Sequence, residues 1–244
     1  DSDWSSDVCS SDLTIPYSVS AKREIQDAVG RTVIVPKRVE HVICSGPGCL
    51  RLLTYLQAQD RIVAVDDIET RRRSFDARPY AMANPEFKNK PVFGEFRGHD
   101  NPELILSLNP LPQVIFKTYP DMGYSPAQLQ SKTTIPVVVL NYGNLSRFKP
   151  DLEKSLRIMG QVMGKSERAE QVIQFFNHSI KDLNQRTENI AKQDKPTVFI
   201  GGVAFKGPHG YRSTEPGYPP FEFINARNLA QNLSFAGKTP MQAD

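Results

Sequence analysis

The chain lacks several features that would assign it to a class at once. A membrane-crossing helix needs about 20 consecutive apolar residues, and no apolar run among the 244 residues approaches that length. An integral membrane protein is therefore not expected. Three cysteines are too few for a disulfide scaffold. A formal net charge of +3 is too small to indicate a nucleic-acid-binding protein, and 19 prolines with 15 glycines exclude a collagen-like chain.

Common catalytic motifs are also absent. The sequence contains no G-x-S-x-G nucleophile elbow, no H-E-x-x-H zinc motif, no dinucleotide-binding fingerprint and no G-x-x-x-x-G-K-[ST] phosphate loop. We identify no credible Cys–His pair either. Because an enzyme would need such a constellation, we predict a protein that is not an enzyme and that has no cofactor.

Residues 1–13, DSDWSSDVCSSDL, differ in composition from the rest of the chain. They contain five serines, four aspartates, the only tryptophan and no Lys or Arg, so the other 231 residues carry a charge of +7. The string DVCSSDL resembles the in-frame translation of a common sequencing adapter. We therefore expect 1–13 to be a disordered artefact or, alternatively, a native acidic tail. The C-terminus is also abrupt, and we expect a fragment open at both ends.

Residues 22–148 alternate short strands with short helices. Two β-prone runs on either side of 27–30 predict a β-hairpin. The next strands are predicted at 42–44, 62–65, 92–93, 114–116 and 137–140, and helices between them end near 58, 108 and 132. The strand segments are continuous and β-branched, which is typical of strands buried on both faces of a parallel sheet. This alternation predicts a doubly wound α/β lobe.

From 149 to 191 the pattern becomes helical. One helix is predicted over 151–163, and Ser166 is predicted to cap a long amphipathic helix that reaches 190. A helix of that length rises about 37 Å, which is long for covering a small sheet. We interpret it as a bridge to a second α/β lobe. That lobe begins within 195–244, with a strand at 198–200 and a helix at 223–232, and is incomplete.

Four segments follow one another along the chain: DAVGRTVIVPKRVEHVI, RVEHVICSGPGCLRLLTYLQAQDRIVAVDD, NPELILSLNPLPQVIF and GKSERAEQVI. In this order they resemble the iron-complex and cobalamin type of substrate-binding protein of ABC importers. The third is similar to the family's N-x-E-x-I-x-x-L-x-P-D-x-V-I box. It departs from the box at 109–113, where NPLPQ displaces the usual Asp, so the turn there need not follow the family.

The resemblance implies two lobes joined by a stiff helix, with a ligand held in the cleft between them and delivered to an ABC permease dimer. The ligand would be an iron chelate such as a ferric siderophore, with a corrinoid such as cobalamin, or haem, as alternatives. The resemblance also implies a monomer that is periplasmic or lipid-anchored on the outer face of the cytoplasmic membrane, with no nucleic-acid partner. Alternatives of other classes are an enzyme on a nitrogenase-like or chelatase-like two-lobe scaffold, and a sensor or adhesin.

Ligands of open α/β sheets bind outside the carboxyl ends of the strands. In this chain that rule selects loops rich in Arg, Lys and Tyr, and Lys117 is one of these cations. Guanidinium groups and aromatic rings suit a bulky anionic chelate. The predicted ligand-binding residues are Gly46, Pro47, Gly48, Arg71, Arg72, Arg73, Arg97, Tyr119, Tyr142, Lys206, His209 and Tyr211.

Each of these residues has an ordinary alternative. The three consecutive arginines could form a solvated basic loop, 46–48 could be a tight turn, and the tyrosines could pack within their own lobe. His209 has no second ligand beside it at a spacing typical of a metal site, so no directly bound metal ion is predicted. Cys44 and Cys49 fall on apolar faces and are interpreted as small buried thiols, although an oxidising compartment would permit a disulfide.

Glu103 is assigned by the resemblance alone. It matches the family's glutamate that lies on the lobe surface and pairs with an arginine of the permease. The alternative is a first-turn glutamate favoured by the helix dipole.

Overall fold

The computed structural model describes residues 21–71, 78–203, 210–211, 213–232 and 241–242. Residues 1–13 lie outside this set, so their interpretation as an adapter sequence stays a prediction. Among the described residues, no helix combines the length and the apolar composition that crossing a bilayer requires.

One six-stranded sheet organises the first part of the chain. Its strands are β3 (Val42–Ser45), β4 (Ile62–Asp66), β5 (Val92–Glu95), β6 (His99–Asp100), β7 (Val114–Thr118) and β8 (Val137–Leu140). They lie in the order β6-β5-β4-β3-β7-β8, and only the edge strand β6 is antiparallel. The chain builds outward from β3 to β5, then crosses back to place β7 on the other side of β3. The strand order therefore reverses between β3 and β7, which is where open α/β sheets bind ligands.

Helices cover both faces of this sheet, as predicted. They are α1 (Cys49–Tyr55), α2 (Asp67–Thr70), α3 (Pro79–Ala83), α4 (Pro102–Leu106) and α5 (Pro126–Thr133), followed by α6 (Lys149–Met163) and α7 (Ser166–Gln185). Successive side chains of a strand point to opposite faces. Val42 and Cys44 accordingly join the core that α1, α6 and α7 complete, whereas Ile43 joins Ile105 of α4 and Leu129 of α5 in the other.

The predicted hairpin is present and is fastened to the sheet by its turn. Strands β1 (Lys22–Gln26) and β2 (Thr32–Pro36) pair in antiparallel register. The buried carboxylate of Asp27 accepts hydrogen bonds from the backbone N–H groups of Val29 and Arg31 at 3.1 and 2.9 Å. It also accepts one from Val139 N of the edge strand β8 at 3.3 Å. One carboxylate thus shapes the turn and joins it to the sheet.

Two predictions about α7 are wrong. The helix ends at Gln185 rather than at 190, and Ser166 is its first residue rather than its cap. At 20 residues it is about 30 Å long. Asn225 Nδ2 donates to Asn184 Oδ1 at 3.0 Å and to Thr187 Oγ1 at 3.1 Å, which holds the chain in a turn where the apolar stripe alone would continue the helix.

The segment after α7 contains short strands. They are β9 (Thr197–Val198), β10 (Ser213–Thr214), β11 (Arg227–Asn228) and β12 (Met241–Gln242), with helix α8 (Pro219–Phe223) between the second and third. The predicted helix at 223–232 is wrong because 227–228 pairs in parallel with β9. The side chain of Asn228 holds that strand in place by donating to the carbonyls of Glu215 and Pro216.

Candidate functional site

A tight turn follows β3 where the strand order reverses between β3 and β7, the position at which open α/β sheets form a ligand-binding crevice. Gly46 and Gly48 adopt left-handed backbone angles, with φ of +86° and +76°. A Cβ added to Gly46 would lie 2.7 Å from the carbonyl oxygen of Thr118, and one added to Gly48 would lie 2.3 Å from Cε2 of Tyr142. The hydroxyl of Thr118 donates to the Pro47 carbonyl at 2.9 Å. These contacts support the tight-turn interpretation, in which the backbone packs directly against β7 and a tyrosine ring.

Two predicted residues, Tyr119 and Tyr142, come together beside this turn. Their ring centroids lie 5.8 Å apart, and the side chains are 40% and 38% exposed. Tyr119 has a φ of 54°, an uncommon angle for a bulky residue. Burial, followed by the nearby Tyr142 hydroxyl, raises the pKa of Tyr119, so its phenol is neutral at ordinary pH. The two rings, tilted by 41° to each other, form an aromatic surface that water still reaches.

The loop that carries Tyr142 is fastened to α6. The backbone N–H of Asn141 donates to Ser155 Oγ at 2.8 Å, and that hydroxyl donates back to the Asn141 carbonyl at 2.9 Å. The Asn141 amide also donates to Asp151 Oδ1 at 3.1 Å. A Cβ on Gly143 would lie 2.4 Å from the backbone nitrogen of Leu152, so this loop lies directly on the helix.

Arg51 is a member of this cluster that the sequence did not single out. Its guanidinium carbon lies 5.0 Å from the ring centroid of Tyr142 and 5.9 Å from that of Tyr55, within range of cation–π attraction. Arg51 follows Gly48 by three residues, so it lies near the start of α1, beside the turn. That spacing is the signal that could have identified it. The cluster of Gly48, Arg51, Tyr119 and Tyr142 is called the crevice floor below.

Other predicted residues lie elsewhere or cannot be placed. Arg71 pairs with Asp67, with 3.1 Å between Nε and Oδ2, and Arg97 is exposed with its guanidinium 5.9 Å from the ring of Phe96. Tyr211 is exposed in the segment after β9. Outside the described residues are Arg72, Arg73, Lys206 and His209.

The interpretation of Lys117 as a loop cation is wrong. Lys117 belongs to β7 and is completely buried, with its Nζ 2.7 Å from Asp100 Oδ2. It also donates to the Gly98 carbonyl at 3.2 Å and to Ser45 Oγ at 3.4 Å. The ion pair thus ties the hairpin between β5 and β6 to the centre of the sheet.

The buried thiols match their prediction, and a buried carboxyl lies near them. Cys44 and Cys49 are both free and buried. Burial and then the charge of Glu69 raise the pKa of Asp66, at the end of β4, to about 7. Within the described part of the chain, no group of three or more His, Cys, Asp or Glu side chains is arranged to hold a metal ion.

Glu103 occupies the first turn of α4 on the surface. The side chain of Asn101 caps this helix by accepting hydrogen bonds from Glu103 N and Leu104 N at 3.0 and 3.1 Å. Glu103 lines an open cavity of about 730 Å³ together with Glu95, His99 and Tyr124.

The chain is similar to known solute-binding proteins. It is 21% identical over 176 residues to the uncharacterized ABC transporter substrate-binding lipoprotein YvrC of Bacillus subtilis. The alignment covers 72% of this chain and 51% of YvrC, so the chain spans about half the length of that relative. No protein-family model matches the chain.

Solved structures give the same result for the fold. The molybdate periplasmic binding protein MolA of Haemophilus influenzae matches with a TM-score of 0.63 and 19% identity, over 84% of this chain and 65% of MolA. The petrobactin-binding protein YclQ of Bacillus subtilis matches with a TM-score of 0.59 and 14% identity, over 87% of this chain and 68% of YclQ.

These relatives are binding proteins, which confirms the prediction that the chain is not an enzyme. The strand order, the helices on both faces of the sheet and the similarities agree with one another. The chain has the fold of the periplasmic solute-binding proteins of ABC transporters, and in sequence it is similar to a substrate-binding lipoprotein of that group.

Proposed function

We propose that the chain is the substrate-binding protein of an ABC importer and captures an iron chelate, such as a ferric siderophore, on the crevice floor. The observation that carries this proposal is the position of the Tyr119–Tyr142 pair and of the Arg51 guanidinium at the point where the strand order reverses. Two partly exposed rings and a cation suit a large ligand with flat faces and negative charge.

The relatives support this ligand class in part. YclQ is named for petrobactin and MolA for molybdate, so one fold accepts both a large organic ligand and a small oxyanion. The exposed aromatic surface of Tyr119 and Tyr142 favours the larger class here, because only a ligand with extended apolar or aromatic parts gains from contact with both ring faces. Corrinoids and haem are the alternatives that the same surface would accept.

The second lobe would close this crevice from the other side. We also propose that the chain divides into a lobe at 22–148, a helical segment at 149–191 and a second lobe from 195. In this division α7 is the bridge between the two lobes. In support, Ser146 of the loop after β8 hydrogen-bonds Glu222 of α8, and Asn225 holds the end of α7. We also propose a location outside the cytoplasmic membrane, with a lipid anchor of the kind that the name of YvrC implies.

Glu103 is proposed as a docking residue for the permease. Its side chain is exposed on α4 and forms no ion pair with any described residue. An arginine of the permease would therefore find an unpaired carboxylate at this surface.

Direct titration tests the proposal. Ferric siderophores of the catecholate, hydroxamate and carboxylate types, cyanocobalamin and haemin would each be titrated into the full chain by isothermal calorimetry. At least one ferric siderophore is expected to bind, and Tyr119→Ala with Tyr142→Ala is expected to weaken it at least tenfold. Arg38→Gln, at an exposed arginine two residues after the hairpin, is the control. If the chain binds none of these compounds, the proposal is contradicted. If it binds only haemin or cyanocobalamin, the ligand is the alternative one and the iron-siderophore assignment is wrong.

A further inference from the structure

A second cavity lies directly beside the crevice floor. It has a volume of about 620 Å³ between α1 and α3, and its walls include Arg51, Tyr55, Gln59 and Tyr80. Arg51 lines this cavity and also stacks on Tyr142 of the crevice floor, so the two spaces share one side chain. The proposed function gives the cavity no role.

Arg51 has unused hydrogen-bonding capacity at this position. Its Nε is buried and has no hydrogen-bond partner among the described residues, and it forms no ion pair with them. By contrast, Arg78, which contacts Tyr80 from outside the cavity wall, donates to Glu69 Oε1 at 2.7 Å. Buried polar groups are rarely left without a partner, because the interior offers no water to replace the missing hydrogen bond. Oε1 of Gln59 is a second buried polar atom in the cavity wall without a partner in the described chain.

Two tyrosine rings in the wall are held in fixed orientations. The Tyr80 hydroxyl donates to Glu69 Oε1 at 2.7 Å and accepts from Arg78 Nη1 at 3.2 Å. The Tyr55 ring packs edge-on against Phe176 of α7, with a centroid distance of 5.9 Å and an interplanar angle of 71°. Because both rings are anchored from outside the cavity, their other surfaces remain available to a guest. Flat groups gain the most from such surfaces.

We propose that this cavity is a subsite for a flat aromatic group that carries a carboxylate or phenolate. The anionic oxygen is bound by the Arg51 guanidinium, and the ring of the guest lies against Tyr55 and Tyr80. The inference rests on the proposed function in one respect: a chelate seated on the Tyr119–Tyr142 surface would extend such an arm past Arg51. It specifies one group of the ligand, and the metal centre plays no part in it.

Three free acids and phenols serve as probes, each titrated into the full chain at pH 7 by ligand-observed NMR. They are 2,3-dihydroxybenzoate, which is flat and anionic, 1,2-dihydroxybenzene, which is flat and neutral, and cyclohexanecarboxylate, which is anionic and not flat. We expect 2,3-dihydroxybenzoate to bind at least tenfold more tightly than either of the others. Weaker discrimination, or no binding of the dihydroxybenzoate, overturns the proposal.

Variants then assign the binding to this cavity. Arg51→Gln and Tyr80→Leu are each expected to weaken binding of 2,3-dihydroxybenzoate at least tenfold. Arg51→Lys keeps the charge without the planar fork, so it should recover part of the affinity. Arg38→Gln is the matched control and should leave affinity unchanged. Wild-type affinity in Arg51→Gln overturns the proposal, and circular dichroism of each variant checks that the fold is retained.

The outcomes separate this proposal from the proposed function. If the chain binds dihydroxybenzoate through Arg51 but binds no metal chelate, the subsite stands and the iron-chelate function fails. If the chain binds a ferric siderophore but Arg51→Gln binds dihydroxybenzoate as tightly as the wild type does, the function stands and the subsite fails.

Discussion

The ammonium group of Lys117 lies 2.7 Å from Asp100 Oδ2, and both side chains are completely excluded from solvent. The pair joins β7, at the centre of the sheet, to the edge strand β6. A lysine buried without its partner would retain an uncompensated charge, and the cost of that charge sets how much stability the protein loses when the pair is broken.

Replacing Asp100 by Asn should therefore destabilise the protein strongly. The change keeps the shape of the side chain but leaves Lys117 charged and unpaired, which costs about 3–5 kcal/mol of unfolding free energy. Urea denaturation measures the loss. Glu40→Gln breaks the exposed Arg38–Glu40 pair and should leave stability nearly unchanged, because solvent screens such a pair. A similar loss in the two variants would show that burial of the ion pair has no special importance.

Asp66 should make stability depend on pH. Burial is the main cause that raises its pKa to about 7, the charges of Glu69 and Asp67 add to the effect, and the N–H of Ile68 and the charge of Arg78 oppose it. Between about pH 4 and pH 7 the folded state keeps a proton that the unfolded state has released. The contribution of Asp66 to the unfolding free energy therefore falls as pH rises through that window. The fall is on the order of 1.4 kcal/mol per pH unit, or a few kcal/mol in all.

Denaturation of Asp66→Asn at pH 4 and pH 8 tests this sign. The variant should resemble the wild type at pH 4 and exceed it in stability at pH 8, because it removes the cost of ionising a buried carboxyl. Asp60→Asn, at an exposed position, is the control and should follow the wild type at both pH values. A variant that is less stable than the wild type at pH 8 would show that Asp66 is ionised in a favourable site.

Gly48 should matter for ligand binding as well as for stability. Gly48→Ala introduces both a strained φ and a contact at 2.3 Å with the Tyr142 ring. Gly30→Ala is a matched control, because Gly30 has a φ of +84° but its added Cβ would have no neighbour within 4 Å. Each change should cost at least about 1 kcal/mol for backbone strain.

Only Gly48→Ala should also weaken binding of the ferric siderophore that the wild type takes up, by several-fold, because the displaced ring belongs to the crevice floor. Calorimetric titration of both variants measures the difference. Equal affinities would separate Tyr142 from the ligand.

Glu103 should affect transport without affecting capture. Glu103→Arg reverses the exposed charge on α4, so uptake by the reconstituted cognate transporter should fall at least tenfold while the affinity for the chelate is unchanged. Glu86→Arg reverses another exposed acidic residue of the same lobe and is the control. Normal uptake with Glu103→Arg would remove this residue from the docking surface.

Local pattern was enough to predict the sheet and its two covered faces, because continuous β-branched segments need burial on both sides. It was not enough where a distant partner decides the outcome. Lys117 follows an apolar segment, so the sequence predicts a loop cation. Its ion pair with Asp100 of another strand instead stabilises it in the interior. The sequence predicts a helix at 227–228, but this segment pairs in parallel with β9.

The site shows the same limit. Tyr119 and Tyr142 could be selected because both follow predicted strands, whose carboxyl ends meet at one edge. Arg51 was missed because a charged residue in an amphipathic helix reads as part of the solvent face. Its role depends on Tyr142, which is 91 positions away in the chain and is brought close only by the order of the strands.

Three hydrogen bonds join Asn141, the neighbour of Tyr142, to the first turns of α6. Those turns lie beside the last turns of α7, where the Asn177 amide donates to Glu153 Oε1 at 3.3 Å. Asn184, at the same end of α7, accepts a hydrogen bond from Asn225. A ligand that shifts the Tyr142 ring would therefore act on the segment beyond α7 through a short series of contacts, without passing along the length of either helix.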